Sequence, residues 1–342
     1  MTHSIRKAGV VSRHAVSCFM QAASKAARRA FFETAFPLHS NFFKEVSTVA
    51  FFLSVLLSGI SVGGQYALIA IGYTMVYGIL RLINFAHGDV FMVAGLMLIY
   101  LSAAIPLYLA IPLMILLTVL LGFVIERAAY KPLRSAPRMS VMISAIGVSY
   151  LLQNTATYIT GGQPMSYPSI PVLSDMVQVG PATTSMVTVV TPILVLVLVV
   201  LLVQLINRTK IGMAMRAVAK DFETSQLMGI KINSVISATF IIGSFLAAIG
   251  SLLYFSNYTY ITPSAGAMPG LKAFVAAVFG GIGSIPGAVI GAFIIGICEN
   301  FVKVLPFEGA SNFVDAFTFA LLIVILAVKP TGLFGEKATD KV

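Results

Sequence analysis

The sequence predicts an all-α integral membrane protein with about eight transmembrane helices and one re-entrant or broken helix region. Of its 342 residues, 58% are hydrophobic and only 10% are charged, whereas about 25% of the residues in a soluble domain are charged. The apolar runs are continuous rather than alternating, which does not fit a transmembrane β-barrel. The basic residues are concentrated in a few segments between these runs.

A transmembrane helix needs about 20 mostly apolar residues, and eight runs approach that length. The predicted spans are 46–61, 64–80, 88–104, 108–125, 141–160, 187–206, 234–255 and 314–329. A ninth apolar region lies at 270–304, and the stretch GGIGSIPGA interrupts it.

The distribution of basic residues predicts the orientation in the membrane. Nineteen of the 22 Lys and Arg residues lie in four segments, whereas the loop 161–186 contains none. Eight spans place all four segments on one side, so the positive-inside rule predicts that both termini are cytoplasmic and that the loop is external. The net charge of +10 therefore reflects membrane orientation, and we expect no nucleic-acid partner. The four basic segments are 1–45, 126–140, 207–233 and 329–342.

The interrupted region 270–304 decides the parity of the topology. A full span here would put the basic C-terminal tail outside, so we predict a re-entrant hairpin of two helices, 270–281 and 287–304. Irregular backbone at membrane depth needs protein or water around it, and a single kinked span stays open as the alternative. Lys272 and Glu299 lie on opposite arms of this hairpin and can pair. We expect a structural role for that pair first, and a role in the pathway or in gating second.

The segment 1–45 differs from the rest of the chain, because it is rich in Ala, Ser, Arg and Phe and holds only two acidic residues. We interpret it as a basic cytoplasmic extension. An amphipathic helix on the inner leaflet fits this composition, and so do a disordered tail and a start codon assigned too far upstream.

No enzyme-like motif is present. A Walker A motif needs a Gly-Lys dipeptide, and the sequence contains none. Four scattered His and two Cys have no metal-ligand spacing, and no nucleophile constellation is found. We therefore expect no catalytic residue, no metal and no cofactor in this chain, which leaves a conduit, a transporter subunit or a scaffold.

The stretch LINFAHGDVFMVAG, 82–95, places Asn84, His87, Gly88 and Asp89 inside an apolar region. Polar side chains are costly there and need a reason. Asn84 or Asp89 can cap the flanking helices; alternatively, the break lies inside the bundle and borders a translocation path, as broken helices of transporters do. Both readings can hold together. Gly281 and Gly283, in FGGIGSIPGA, would then form a companion break.

The loop 207–233 interleaves apolar and charged residues. This pattern predicts one or two short amphipathic helices along the membrane surface, with a stop at Gly229. Such a helix can dock into a groove of a cytoplasmic partner, or it can rest on lipid headgroups.

Four long stretches closely resemble the permease subunit of branched-chain amino acid ABC importers, the LivH type. They run in order between about Leu53 and Phe334, and the resemblance implies a permease domain at 46–334 followed by a cytoplasmic tail at 335–342. The stretches are YALIAIGYTMVYGILRLINFAHGDVFMVAG, ERAAYKPLRSAPRMSVMISAIGVSYLLQN, GMAMRAVAKDFETSQLMGIKIN and GLKAFVAAVFGGIGSIPGAVIGAFIIGICEN.

The resemblance also implies a set of partners in the bacterial inner membrane. These are a second, homologous permease, two cytoplasmic ATPase subunits that bind the ATP, and a periplasmic binding protein that delivers leucine, isoleucine or valine. The absent P-loop fits this arrangement. The resemblance makes 217–229 the loop that contacts an ATPase. Its candidate coupling residues are Ala217, Asp221, Glu223, Leu227 and Gly229.

Other functions remain open from the sequence. Similar permeases import urea, short amides or other amino acids. A secondary transporter working alone would need carboxylates deep in the membrane for ion coupling, and only Glu299 is a clear candidate. A scaffold without transport would leave the broken helices unexplained.

Overall fold

The computed structural model describes residues 37–134, 136–305 and 309–335, with side chains from residue 49 onward. The described chain is mainly helical, which confirms the predicted fold class. Seven of the described helices are long and apolar enough to cross a membrane. The helices are α1 (Pro37–Leu80), α2 (His87–Ala104), α3 (Leu107–Ile125), α4 (Arg138–Thr160), α5 (Pro171–Ser174), α6 (Met186–Arg208), α7 (Lys210–Lys220), α8 (Phe222–Leu227), α9 (Ile232–Phe255), α10 (Ala267–Gly280), α11 (Ile285–Lys303) and α12 (Val314–Val328).

Four short strands lie in the loops. β1 (Met165–Ser166) pairs antiparallel with β4 (Tyr260–Ile261), with Met165 opposite Ile261. This pair ties the loop after α4 to the loop after α9, so both loops lie at the same end of the bundle. β2 (Met176–Val179) and β3 (Ala182–Ser185) form a second two-stranded sheet.

The structure corrects the prediction at the first two spans. Segments 46–61 and 64–80 were expected to be separate, but both belong to the continuous helix α1. Gly63 does not turn the chain. A Cβ on Gly63 would lie 2.7 Å from the Cα of Phe293, so this glycine lets α1 and α11 pack closely, as small residues do between membrane helices. The prediction that the N-terminus is cytoplasmic depended on two spans here, and one helix removes that support.

The interrupted region 270–304 is a helical hairpin of α10 and α11, joined by the turn 281–284. A Cβ on Gly280 would lie 2.0 Å from the carbonyl oxygen of Gly287, and one on Gly291 would lie 2.4 Å from that of Ala276. These contacts pair later residues of α11 with earlier residues of α10, so the helices are antiparallel. The hairpin prediction is confirmed, and a single kinked span is excluded.

Helix α4 differs from the other long helices. It has 23 residues, enough to cross a bilayer, yet it is not among the seven candidate spans. Its second half carries amides and hydroxyls in place of the aliphatic residues that fill α3 and α6. The predicted span 141–160 is therefore a helix, but a more polar one.

Contacts between Cα atoms divide the chain into two units. The larger unit holds residues 54–179 and everything after 182, and it contains all the residues predicted to be functional. The smaller unit comprises residues 1–53 with the turn 180–182. Within it, the structure describes 37–53 as the first part of α1. Most of the predicted extension 1–45 lies outside the described residues.

Candidate functional site

The chain loses helical structure between α1 and α2, at residues 81–86. Arg81 has a φ of 54°, the left-handed region, which ends α1. Asn84 is only 4% exposed, and its Oδ1 accepts a hydrogen bond of 2.6 Å from the hydroxyl of Tyr130. Asn84 was predicted to cap a helix, but its side chain instead binds Tyr130, which lies just after the end of α3. The break therefore lies inside the bundle.

His87 begins α2 as a fully enclosed side chain, 3% exposed. Its ring lies edge-on to Tyr73, with centroids 5.2 Å apart. Gly72 of α1 and Gly243 of α9 flank the ring on the remaining sides. Within the described residues, the Nε2 atom of His87 has no hydrogen-bond partner. His87 is therefore enclosed by protein in the bundle interior.

Gly88 is required for space rather than for an unusual backbone conformation. The sequence suggested that it supplies backbone freedom at the break, but it is helical and has no positive φ. A Cβ on Gly88 would lie 2.7 Å from the carbonyl oxygen of Gly266 and 3.0 Å from the Cα of Gly270. The start of α2 therefore packs directly on the start of α10.

Asp89 was expected to cap α2, and this prediction is wrong. Helix α2 has no side-chain cap, and its first N–H groups bind backbone carbonyls, such as His87 N–H to Asn84 O at 3.1 Å. The Asp89 side chain is 2% exposed and points to α4. It accepts hydrogen bonds from the Ser149 hydroxyl and, at 2.9 Å, from the Gln153 amide.

The glycine turn after α10 meets the C-terminal segment. Gly281 and Gly283 have φ values of 109° and 99°, which other residues adopt only with strain. The N–H of Phe334 donates to the carbonyl of Gly280 at 2.9 Å. The structure therefore places the turn against 333–335, while the other end of α10 contacts Gly88. A small apolar cavity, which Ile83 and Ile282 both line, is where the two breaks approach each other.

Lys272 and Glu299 form the predicted ion pair, with Nζ and Oε1 3.1 Å apart. The pair belongs to a larger cluster. Glu299 also binds Lys303 at 2.9 Å, and Lys272 binds Asp315 of α12 at 2.7 Å. The Tyr66 hydroxyl of α1 donates to Glu299 at 2.9 Å. Two lysines and two carboxylates balance, so the cluster joins four helices without net charge.

A third buried carboxylate, Glu126, was not predicted from the sequence. Glu126, 0% exposed, sits in a π-helical turn, Glu126–Tyr130, that extends α3. It pairs with Arg134 and accepts a 2.9 Å bond from Ser237 of α9. Burial lowers the pKa of Arg134 below its ordinary value, and the adjacent Glu126 opposes that shift. The sequence placed Glu126 at the start of a basic loop, where its burial left no signal.

The loop 207–233 contains the two short helices that the sequence predicts, α7 and α8. Asp221 caps α8, because its Oδ1 accepts from Thr224 N–H at 3.1 Å, and Gly229 ends it with a φ of 81°. Glu223 is exposed and Ala217 is half-buried. Leu227 is 87% exposed, and the next residue, Met228, is 78% exposed.

A hydrogen bond connects the loop 207–233 to the break between α1 and α2. The guanidinium of Arg81 donates to the carbonyl of Ala219 in α7 at 3.2 Å. Arg81 therefore joins the segment that holds the predicted path residues 84–89 to the helix that holds the predicted coupling residue Ala217.

Comparisons with known proteins agree with this architecture. The family model described as "Branched-chain amino acid transport system / permease component" matches residues 55–326. The chain is 39% identical over 311 residues to the high-affinity branched-chain amino acid transport system permease protein BraD of Pseudomonas aeruginosa, which covers 85% of this chain and 98% of BraD. It is 38% identical over 307 residues to the corresponding protein LivH of Escherichia coli, with the same coverages. It is 26% identical over 279 residues to the ribose import permease protein RbsC of Haemophilus influenzae, covering 79% of this chain and 83% of RbsC. The chain therefore belongs to the family of branched-chain amino acid transport system permease components.

Proposed function

We propose that this chain is the permease subunit of an ATP-binding-cassette importer that carries leucine, isoleucine and valine across the inner membrane. The observation that carries the proposal is the bond from Arg81 to the Ala219 carbonyl. It joins the surface loop that would receive a cytoplasmic partner to the buried break at 84–89. In this proposal, a displacement of α7 would act through Arg81 on the break that precedes α2.

The exposed end of α8 supports an ATPase partner. Leu227 and Met228 are 87% and 78% exposed, and they lie next to the charged residues of a cytoplasmic loop rather than in an apolar span. Apolar side chains in such a position fit a groove on a protein partner. The partners in the proposal are two ATPase subunits, which bind the ATP, a second homologous permease and a periplasmic binding protein. This chain itself holds no cofactor.

The break and the two helix starts around it form the proposed path region. Asn84, His87, Gly88 and Asp89 are its residues from this chain, and Gly281 and Gly283 allow the turn of the neighbouring hairpin to move. We place α7, α8 and the tail 335–342 on the cytoplasmic side, because the basic residues concentrate there. The permease domain is 46–334 in this proposal, and 1–45 is an extension to it.

Uptake by the reconstituted complex tests the proposal. The permease pair, the ATPase subunits and the binding protein are placed in proteoliposomes, and radiolabelled leucine, valine, urea and acetamide are compared with and without ATP. ATP-dependent uptake of leucine and valine is expected. ATP-dependent uptake of only urea or acetamide would contradict the proposed substrate class but would still support an ATP-driven importer. Uptake by this chain without ATPase subunits would make it a secondary transporter instead.

The charge cluster argues against a secondary transporter. Ion coupling requires a carboxylate that is free to exchange an ion, whereas Glu299 binds Lys272, Lys303 and Tyr66. Glu126 binds Arg134 and Ser237. Both of these carboxylates therefore have basic partners, and the third buried carboxylate, Asp89, is bound by Ser149 and Gln153.

A further inference from the structure

The exposed face of α4 is unusual for a membrane helix. The exposed side chains in the middle of α3 and α6 are all aliphatic or proline, for example Leu116, Leu120 and Val197. On α4, by contrast, Asn154, Thr155 and Thr157 are exposed next to Tyr150. Lipid tails offer no hydrogen bonds to such groups. This part of α4 therefore needs water or protein beside it.

A ridge of polar residues runs along α4 from the buried carboxylate to the exposed face. We call it the polar ridge, formed by Ser149, Tyr150, Gln153, Asn154 and Thr157. Their spacing of one, four, five and eight positions puts them along one side of the helix. Ser149 and Gln153, at the inner edge, are half-buried, and Asn154 and Thr157 are exposed.

The amide and hydroxyl groups of the polar ridge donate to Asp89, to Ser149 and to backbone carbonyls of α4. Gln153 Nε2 donates to Asp89 at 2.9 Å and to Ser149 at 3.3 Å. Asn154 Nδ2 donates to the carbonyl of Tyr150, and the Thr157 hydroxyl donates to the carbonyl of Gln153, both at 2.8 Å. The oxygens that remain are Gln153 Oε1, Asn154 Oδ1 and the lone pairs of Thr157 Oγ1. The ridge therefore offers side-chain oxygens as acceptors, beside the exposed Tyr150.

We propose that the polar ridge is this chain's wall of the solute path and that Gln153 Oε1 accepts a hydrogen bond from the ammonium group of the passing amino acid. The inference rests on the proposed function, whose second permease would lie across from this face of α4. An amino acid crosses with its ammonium group charged, and the three N–H donors of that group need acceptors in a low-dielectric interior. Asp89 is a positioning residue, because it fixes the amide of Gln153 by taking its hydrogen.

Thiol accessibility tests whether the ridge faces water. Both native cysteines, Cys18 and Cys298, are replaced by serine, and Asn154→Cys is compared with Leu116→Cys on α3 in the assembled transporter. A cationic methanethiosulfonate reagent is applied with and without ATP and vanadate. Asn154→Cys should react at least about tenfold faster in one of the two states, because only water-accessible thiols ionise readily. Equal, slow reaction of both variants in both states would overturn the proposal, whatever the substrate.

Uptake kinetics test the acceptor. Gln153→Leu should raise the KM for leucine about tenfold, as expected when one bond to a charged group is lost, with a smaller change in kcat. Asp89→Asn should act in the same direction, since the Asn amide competes as a donor, and Asp89→Glu should restore part of the affinity. A fall in kcat at unchanged KM would make Gln153 a packing residue and overturn its assignment. Absence of leucine uptake in the unmodified complex would instead refute the proposed function, while the thiol experiment would still report on the ridge.

Discussion

The Nε2 atom of His87 occupies the space that a side chain on Gly72 would need. A Cβ built on Gly72 would lie only 2.1 Å from that atom. His87 starts α2 and Gly72 lies in the last third of α1, so the absence of a Cβ on one helix allows the other to begin inside the bundle.

The first prediction follows from this contact. Gly72→Ala should lower the free energy of unfolding by about 1–3 kcal/mol, because overpacking forces neighbours to move. His87→Ala removes the ring and should restore part of the loss in the double variant. The thermal unfolding midpoint in detergent is the measurement. Gly78→Ala, on the same helix with open space around its Cβ, is the control, and equal stability of Gly72→Ala and this control would contradict the packing.

The second prediction concerns the contact between α2 and α10. Gly88→Val should push the helices apart, because even a Cβ would meet the Gly266 carbonyl at 2.7 Å. We expect insertion and assembly to persist while ATP-dependent uptake is lost. His87→Leu, which removes a buried imidazole of similar size, should impair uptake less. Unchanged uptake kinetics in both variants, at matched protein levels, would remove 84–89 from the path.

The third prediction concerns the charge cluster. Glu299→Gln leaves Lys272 with only the half-exposed Asp315 and takes from Lys303 its ion pair with Glu299. Breaking a buried pair in this way costs about 3–5 kcal/mol, so the unfolding midpoint should fall markedly. The exposed Glu223→Gln is the matched control and should stay within about 0.5 kcal/mol. Replacing Lys272 and Glu299 together by Met and Leu should be less harmful than Glu299→Gln alone; a greater loss would show that Glu299 acts mainly through other partners.

The fourth prediction tests the docking of α8. Leu227→Asp should reduce co-purification of the ATPase subunits at an unchanged unfolding midpoint, since Leu227 is 87% exposed in the described part of the chain. Gly229→Trp should uncouple ATP hydrolysis from uptake, because its φ of 81° strains any side chain. Met176→Asp, on an apolar residue 75% exposed in the opposite loop, should leave ATPase binding intact. Normal coupling in both loop variants would exclude α8 from the interface.

The fifth prediction tests whether residues 46–80 cross the membrane once or twice. Because α1 is continuous, Val49→Cys should be labelled by an impermeant thiol reagent from the same side as Ser174→Cys. Glu223→Cys, in the coupling loop, should be labelled from the other side; Ser225 is unsuitable there because it is 5% exposed. Labelling of Val49→Cys together with Glu223→Cys would restore the topology with two spans in 46–80.

Much of the fold was predictable because apolar run length and basic-residue positions are local properties of a sequence. The hairpin at 270–304 and the two surface helices both followed from such patterns. The division between spans 46–61 and 64–80 was wrong, and Gly63 at that division shows why: a glycine that allows helices to touch looks the same in sequence as one that turns the chain. The direction of the Asp89 side chain could not be predicted either, because its partners lie 60 and 64 positions away in α4.

The candidate site residues also differ in how well the sequence predicts them. Asn84, His87 and Asp89 stood out because they are polar in an apolar run, and the structure buries all three. Ser149 and Gln153 were harder to recognise, because they only lower the hydropathy of a predicted span whose length is ordinary. Glu126 could not be recognised from the sequence, because its burial depends on Arg134 in the loop that follows it and on Ser237 in α9.

The C-terminal segment has a consequence for how the protein is made. The carbonyls of Phe279 and Gly280, at the end of α10, receive their hydrogen bonds from the N–H groups of Leu333 and Phe334. The ribosome synthesises these donors more than fifty residues after the acceptors. Until then the hairpin has two open carbonyls at its tip, and it depends on water or on the insertion machinery to satisfy them. Completion of this half of the permease is thus a late event in biogenesis, and a chain that stops before Leu333 should be recognised as unfinished by membrane quality control.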